Sequence, residues 1–131
     1  MDPIAFNRDL VIRALNAFHE SDQLTLHQVW SPDLVWHMAG TSPISGDYFG
    51  RNAFLAFGQR LLDDSDGTFY AEMDDVTASE HHAVLLSRAT AVRRNRTLDV
   101  RETLVFRVVE GQLAECWDSK FDQEHWDEFW S

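Results

Sequence analysis

The sequence predicts an α+β domain in which three helices close one side of a cupped, mostly antiparallel sheet. Two observations carry this. Apolar residues recur at helical spacing through the first half of the chain, and from Phe69 onward four runs of roughly ten residues alternate apolar and polar side chains between short turns. Helices followed by sequential, hairpin-linked strands give an antiparallel α+β arrangement rather than a parallel α/β one. Long strands twist and curl, so the sheet is cupped and helices can cover its concave side.

The first helix is expected from Asp2 to Ser21. Asp2 suits the N-cap and Pro3 the first helical position, and Phe6, Leu10, Ala14, Ala17 and Phe18 form one apolar stripe. A shorter helix is expected from Gln23 to Trp30, stopping before Pro32 because a proline disfavours helix in the residue ahead of it. Leu34 to Met38 reads as a short strand and Gly40 to Gly46 as a loop. Arg51 to Leu62 reads as a third, amphipathic helix with Phe54, Leu55, Phe57, Leu61 and Leu62 apolar. The Asp63-Asp64-Ser65-Asp66-Gly67 run is the turn after it; it resembles half of a calcium loop but lacks the later bidentate Glu. Strands are expected over Phe69–Ser79, Ala83–Arg94, Leu98–Glu110 and Leu113–Lys120, with turns at Glu80-His81-His82, Asn95-Arg96 and Glu110-Gly111. The Arg93-Arg94-Asn95-Arg96 patch reads as a solvated hairpin tip. The acidic, aromatic tail DQEHWDEFW can cover a sheet edge, a partner or the mouth of the cup.

The 131 residues suffice for one domain, 1–131, with its own core. A net charge of −11 argues against nucleic acid or an anionic membrane surface as a partner. The single cysteine, Cys116, precludes an internal disulfide and fits a reducing cytoplasm; with no Cys-His signature around it, it reads as buried filler. No signal peptide, membrane span, P-loop, dinucleotide fingerprint or HExxH motif is read, so a cytoplasmic protein without cofactor is expected. His81 and His82 are neighbours on a turn and point apart, which makes a metal site there unexpected. Five Trp and nine Phe suit either a deep core or an apolar ligand site.

The candidate site lies on the last hairpin, Leu98 to Lys120. Glu102 falls in the apolar register of Leu98, Val100, Leu104 and Phe106, where an unpaired carboxylate is costly. A two-residue Asn95-Arg96 turn pairs Ala91 with Val100, Ala89 with Glu102 and Ser87 with Leu104, which leaves volume beside the acid. A three-residue turn with Gly111 in the left-handed conformation pairs Leu104 with Cys116 and Glu102 with Asp118. Two carboxylates placed opposite each other cannot both ionise cheaply; one should hold a proton with a raised pKa, giving a general acid and a general base. A two-residue turn would instead send Asp118 to the other face and bring Trp117 inward. Arg101, Arg107 or Lys120 could also neutralise an acid. The expected pocket is Trp36, Ala89, Ala91, Leu104, Phe106 and Cys116 around catalytic Asp118, Glu102 and His37.

The stretches LVWHMAGTSPISGDYFG, after two helices, and VFRVVEGQLAECWD, near the end, resemble the nuclear transport factor 2-like superfamily. Within it the chain is most similar to SnoaL-like proteins, the polyketide-cyclase relatives of ketosteroid isomerase. The resemblance covers nearly the whole chain. It implies a cystatin-like roll with a conical pocket between a curved sheet and three helices, and a homodimer through the outer sheet face. The superfamily includes isomerases, cyclases, epoxide hydrolases, dehydratases and non-enzymes, so the fold is implied more narrowly than the reaction.

Residue by residue, the position of the isomerase's base Asp falls on His37, or on Met38 without a gap. Its oxyanion Tyr falls near Ala14 and its second oxyanion acid on Leu104, so that oxyanion hole is missing and steroid isomerisation is rejected. The Arg-x-Asp of limonene epoxide hydrolase falls on Glu102-x-Leu104, which breaks that machinery, while its last-strand Asp matches Asp118. The SnoaL cyclase motif Glu-His-Trp-Asp reads Glu115-Cys116-Trp117-Asp118. This implies Asp118 as the acid/base, pointing inward; the cyclase's His on the preceding strand falls near Leu104.

His37 can shuttle a proton near neutral pH or bond to the Gly40–Gly46 loop, and Trp36 and Trp117 can stack on a planar ligand or simply pack. The expected function is cofactor-free proton transfer on a small apolar organic molecule bearing a carbonyl or hydroxyl: isomerisation, cyclisation, dehydration or hydrolysis. The alternative is a non-catalytic ligand-binding or dimerisation domain of the same fold.

Overall fold

Helix α1 (Pro3–Glu20) starts as its sequence predicts, with the Asp2 carboxylate accepting from the Ile4 N–H and Pro3 in the first turn. It stops at Ser21, whose left-handed backbone (φ 53°) returns its N–H to the carbonyls of Ala17 and Phe18. The computed structural model describes residues 2–131, and among these the chain forms four helices and six strands. Asp22 caps α2 (Gln23–Val29) by accepting from Thr25. Strand β1 (Trp30–Met38) follows without a gap. It is longer than the expected Leu34–Met38 strand because it runs through Pro32, where its pairing is irregular.

The remaining elements are β2 (Gly46–Phe49), α3 (Arg51–Asp64), β3 (Tyr70–Ala78), β4 (His82–Arg93), β5 (Arg96–Val109), β6 (Gln112–Lys120) and α4 (Gln123–Trp130). The single curved sheet has the order β2-β1-β6-β5-β4-β3, with β1 parallel to β6 and all other neighbours antiparallel. Helix α1 packs on β3 and β4, and α3 packs on β1 and β2. Two elements exceed the expected three helices and five strands. Strand β2 extends the sheet beyond β1. The acidic tail forms a fourth helix whose Trp126, Phe129 and Trp130 are buried. The hairpin-tip arginines serve that helix: Arg93 donates to the Phe129 carbonyl at 3.1 Å and Arg96 to that of Glu128 at 2.6 Å, satisfying C-terminal carbonyls that α4 cannot pair itself. No helix among the described residues is long and apolar enough to cross a membrane.

Both hairpin registers differ from expectation. The β4–β5 turn is Arg94-Asn95, both left-handed (φ 50° and 63°) as a two-residue hairpin turn requires, so Arg93 pairs with Arg96. Glu102 therefore faces Ser87 and not Ala89, while Ala89 faces Val100 and Ala91 faces Leu98. The β5–β6 turn is Glu110-Gly111, also with two residues (φ 50° and 77°), pairing Val109 with Gln112. That turn alone would rotate Asp118 outward. A bulge restores it: Val108 pairs with Leu113 but Arg107 with Glu115, leaving Ala114 as the extra residue. Asp118 then opposes Leu104, and Glu102 opposes Lys120 instead of Asp118.

Candidate active site

On the inner face of the sheet, β5 contributes Val100, Glu102, Leu104 and Phe106, and β6 contributes Cys116, Asp118 and Lys120, all buried. Lys120 lies opposite Glu102 and two residues beyond Asp118 on the same strand, so strand geometry delivers its ammonium to both acids. Its Nζ donates to Glu102 Oε1 and to Asp118 Oδ1, each at 2.6 Å. Ser87 Oγ donates to the other Glu102 oxygen at 2.7 Å. The three charged residues are only 4%, 5% and 8% exposed (Glu102, Asp118, Lys120), so two carboxylates and one ammonium leave an excess negative charge inside the protein. The Trp126 ring lies 3.8 Å from Nζ and adds its π face to the cation's surroundings.

That excess charge acts on Asp118. Burial raises its pKa, Lys120 opposes the rise, Glu102 reinforces it, and the result is about 6. Burial acts to lower Lys120, but Asp118 and Glu102 outweigh it and hold the ammonium charged. The buried indole N–H of Trp36 favours ionised Asp118 weakly but makes no hydrogen bond.

The three charged groups border a cavity of about 90 Å³ enclosed by α1, α3, α4 and the sheet. Its aromatic wall is continuous: Trp36 stacks on Phe54 with centroids 4.3 Å apart, Trp30 is tilted on Phe54 at 4.7 Å, and Phe106 closes on Trp36 at 6.1 Å. The indole N–H groups of Trp30, Trp36 and Trp126, all cavity residues, have no partner. The site can therefore hold a proton near neutral pH, stabilise negative charge through Lys120, and surround an apolar body with rings.

The structure brings Asp118, Glu102, Trp36, Leu104 and Phe106 to this cavity. It does not bring Ala89, Ala91 or Cys116 there. They share the inner face but are packed into the wall: the β4–β5 register puts Ser87 opposite Glu102 and Leu85 opposite Leu104, with Ala89 and Ala91 farther along, and the β5–β6 register puts Cys116 opposite Phe106. The Cys116 thiol is fully buried, and that burial, then the charge of Asp118, pushes its pKa well up.

His37 is on the opposite side of the sheet. In β1 the buried residues are Trp30, Leu34, Trp36 and Met38, all of one parity, so His37 faces outward. There its Nδ1 meets Asp47 at 2.8 Å and its Nε2 meets Glu115 at 2.7 Å, with its ring stacked on Trp117. Glu115 first, then Asp47, raise the His37 pKa. A catalytic role for His37 in the cavity is thus corrected: of the two candidate positions on β1, Met38 is the one that lines it. Trp117 also points outward and cannot stack on a cavity ligand. Lys120 and Trp126 complete the site and were not assigned to it from sequence. The Asp118-x-Lys120 spacing was the available signal for the first.

Residues 11–116 match the SnoaL-like domain family, and the chain belongs to it. Bal32a, from a soil-derived mobile gene cassette, superposes with a TM-score of 0.96 at 32% identity, covering 99% of this chain and 100% of that one. An uncharacterised protein of Mycobacterium tuberculosis is 26% identical over 124 residues, 94% of this chain and 95% of its own. IdmH of Streptomyces antibioticus, a candidate polyketide cyclase, shares the fold with a TM-score of 0.72 at 19% identity over 87% of this chain and 91% of that one. The architecture is the cystatin-like, nuclear transport factor 2-like one.

Proposed function

We propose that the protein is an enzyme that moves protons on a small apolar molecule bearing a carbonyl or hydroxyl group, using its own side chains and no cofactor. The observation that carries this is the Lys120-bridged pair of buried acids on an aromatic cavity, with Asp118 poised at about 6. Ionised Asp118 takes a proton from the carbon next to a carbonyl, and the electron pair moves onto the carbonyl oxygen. Lys120 stabilises that developing charge, filling the role left open by Ala14 and Leu104. Protonated Asp118 then returns the proton to the far carbon of the dienolate when the ketone carries a neighbouring double bond, which is isomerisation, or the enolate carbon attacks a second carbonyl whose oxygen takes the Asp118 proton as its C=O opens, which is cyclisation. Glu102, held by Ser87, positions Lys120. The candidate cyclase among the fold neighbours favours the second outcome.

The test is deuterium exchange of small ketones in D₂O, followed by NMR. The expected result is exchange faster than buffer that falls at least about 100-fold in Asp118→Asn and in Lys120→Met, the scale of a lost general base or charge stabiliser. Exchange no faster than buffer, or exchange indifferent to Asp118, overturns the proposal. That Lys120 bonds to both acids favours a second reading, a non-catalytic binder in which the triad is structural; it predicts ligand binding without exchange. A homodimer through the outer sheet face is part of the proposal, supported there by exposed Phe49 and Trp117. Sedimentation showing only monomer at micromolar concentration would remove it.

A further inference from the structure

Beside the catalytic cavity a second cleft of about 280 Å³ lies between the C-terminal end of α1, α2 and α3. Phe18, Trp30, Phe54 and Gly58 belong to the walls of both spaces. Gly58 is buried in the interior of α3, where glycine is a poor helix former, so its place needs a packing reason. Phe18 supplies it: a Cβ on Gly58 would stand 3.1 Å from Phe18 Cε1 and 3.6 Å from Cδ1. The helix gives up propensity at the one point where the half-buried Phe18 ring lies against its backbone, and that point is on the partition between the two spaces.

Size points the same way. The inner cavity alone is well below the ~300 Å³ at which small-molecule sites usually begin, and the outer cleft brings the pair into that range. The cleft is lined by Leu26, Leu55 and Leu62, with exposed Ser21, Gln23 and Gln59 at its rim.

We propose that the two spaces form one binding site divided by Phe18. Its ligand has an oxygen-bearing head at Asp118 and Lys120 and an unbranched apolar tail. When the Phe18 ring swings off Gly58 the tail passes between them into the outer cleft and ends among the polar residues of the rim. The head assignment rests on the acid/base reading above; the divided site does not.

The experiment titrates the full chain with two homologous series, methyl ketones from 2-butanone to 2-undecanone and n-alkylbenzenes from benzene to hexylbenzene, using intrinsic tryptophan fluorescence. In the wild type, affinity is expected to rise about fourfold per methylene, the gain for burying one CH₂, well past the length the inner cavity can hold. Gly58→Ala should leave the shortest members within about twofold and stop the rise for longer ones, since the new methyl pins the ring; Phe18→Ala should restore the rise in the Gly58→Ala background. A wild-type plateau at the shortest members, equal weakening of all lengths by Gly58→Ala, or no binding of either series overturns the divided site. If both series show the length dependence but ketones have no advantage that Asp118→Asn removes, the divided site stands and the acid/base reading falls.

Discussion

Replacing Lys120 by methionine removes the one cation that, among the described residues, pairs with Glu102 and Asp118 inside the sheet, and keeps most of the side-chain volume. Both carboxylates then remain buried without a counter-charge, while Ser87 satisfies one oxygen of Glu102. Removing one partner of a buried ion pair typically costs about 3–5 kcal/mol, and here one removal strips two acids. The expected loss at pH 7.5 is at least that much, a large part of the roughly 5–15 kcal/mol that holds a domain of this size. The loss should shrink toward pH 4.5, because protonation of Asp118, whose folded pKa is about 6, removes one of the two charges that need the lysine. Urea unfolding at both pH values, monitored by far-ultraviolet circular dichroism, measures it. A Lys120→Met variant within about 1 kcal/mol of wild type at pH 7.5, or one destabilised equally at both pH values, would refute the buried-triad electrostatics.

Asp118→Asn has the opposite sign. The folded carboxyl titrates at about 6 against 3.8 in the unfolded chain, so the folded state retains a proton that the unfolded state has lost. Its contribution is full below about pH 4, is lost across pH 4–6 and stays lost above, a decline of about 3 kcal/mol. Asparagine leaves a neutral Lys120–Glu102 pair, so that segment of the stability curve should flatten and stability at pH 7.5 should equal or exceed wild type; a variant less stable than wild type there contradicts the sign. On the outer face, Glu115→Gln should move the His37 midpoint down toward 6.5, read from its imidazole proton resonances, because Glu115 is the main cause of its elevation. Stability from that contact is present below 6.5 and lost as pH rises through the folded midpoint. Native Cys116 should react with a thiol reagent only at the rate of unfolding; immediate labelling would show that its strand is not packed as described.

Much of this was legible because local chemistry and parity are robust to small errors. Asp2 and Pro3 mark the start of α1 however the rest folds. The placement of Glu102 on the inner face survived a misplaced turn, since moving Asn95-Arg96 to Arg94-Asn95 shifts the register by two residues and preserves every face. Asp118 reached the inner face through two departures that cancel, a shorter turn and a bulge at Ala114, and nothing in Gln-Leu-Ala-Glu-Cys announces the bulge. The side that His37 takes is not legible, because Leu34-Val35-Trp36-His37-Met38 is apolar on both faces except at His37 and carries no usable alternation. Helix α4 was recoverable from Trp126, Phe129 and Trp130 at spacings of three and four, but acids between the aromatics concealed its apolar face. Lys120 is legible as a neutralising charge; that it bridges both acids depends on a cross-strand register that the sequence does not resolve.

The most direct test is a carbon-13 NMR titration of the Asp118 side-chain carboxyl in the intact protein, assigned by its absence in Asp118→Asn. A midpoint near 6 is predicted, from burial and Glu102 acting against Lys120. A midpoint near 4, that of a solvated aspartate, would contradict the buried, cavity-facing triad and with it the proposed acid/base chemistry.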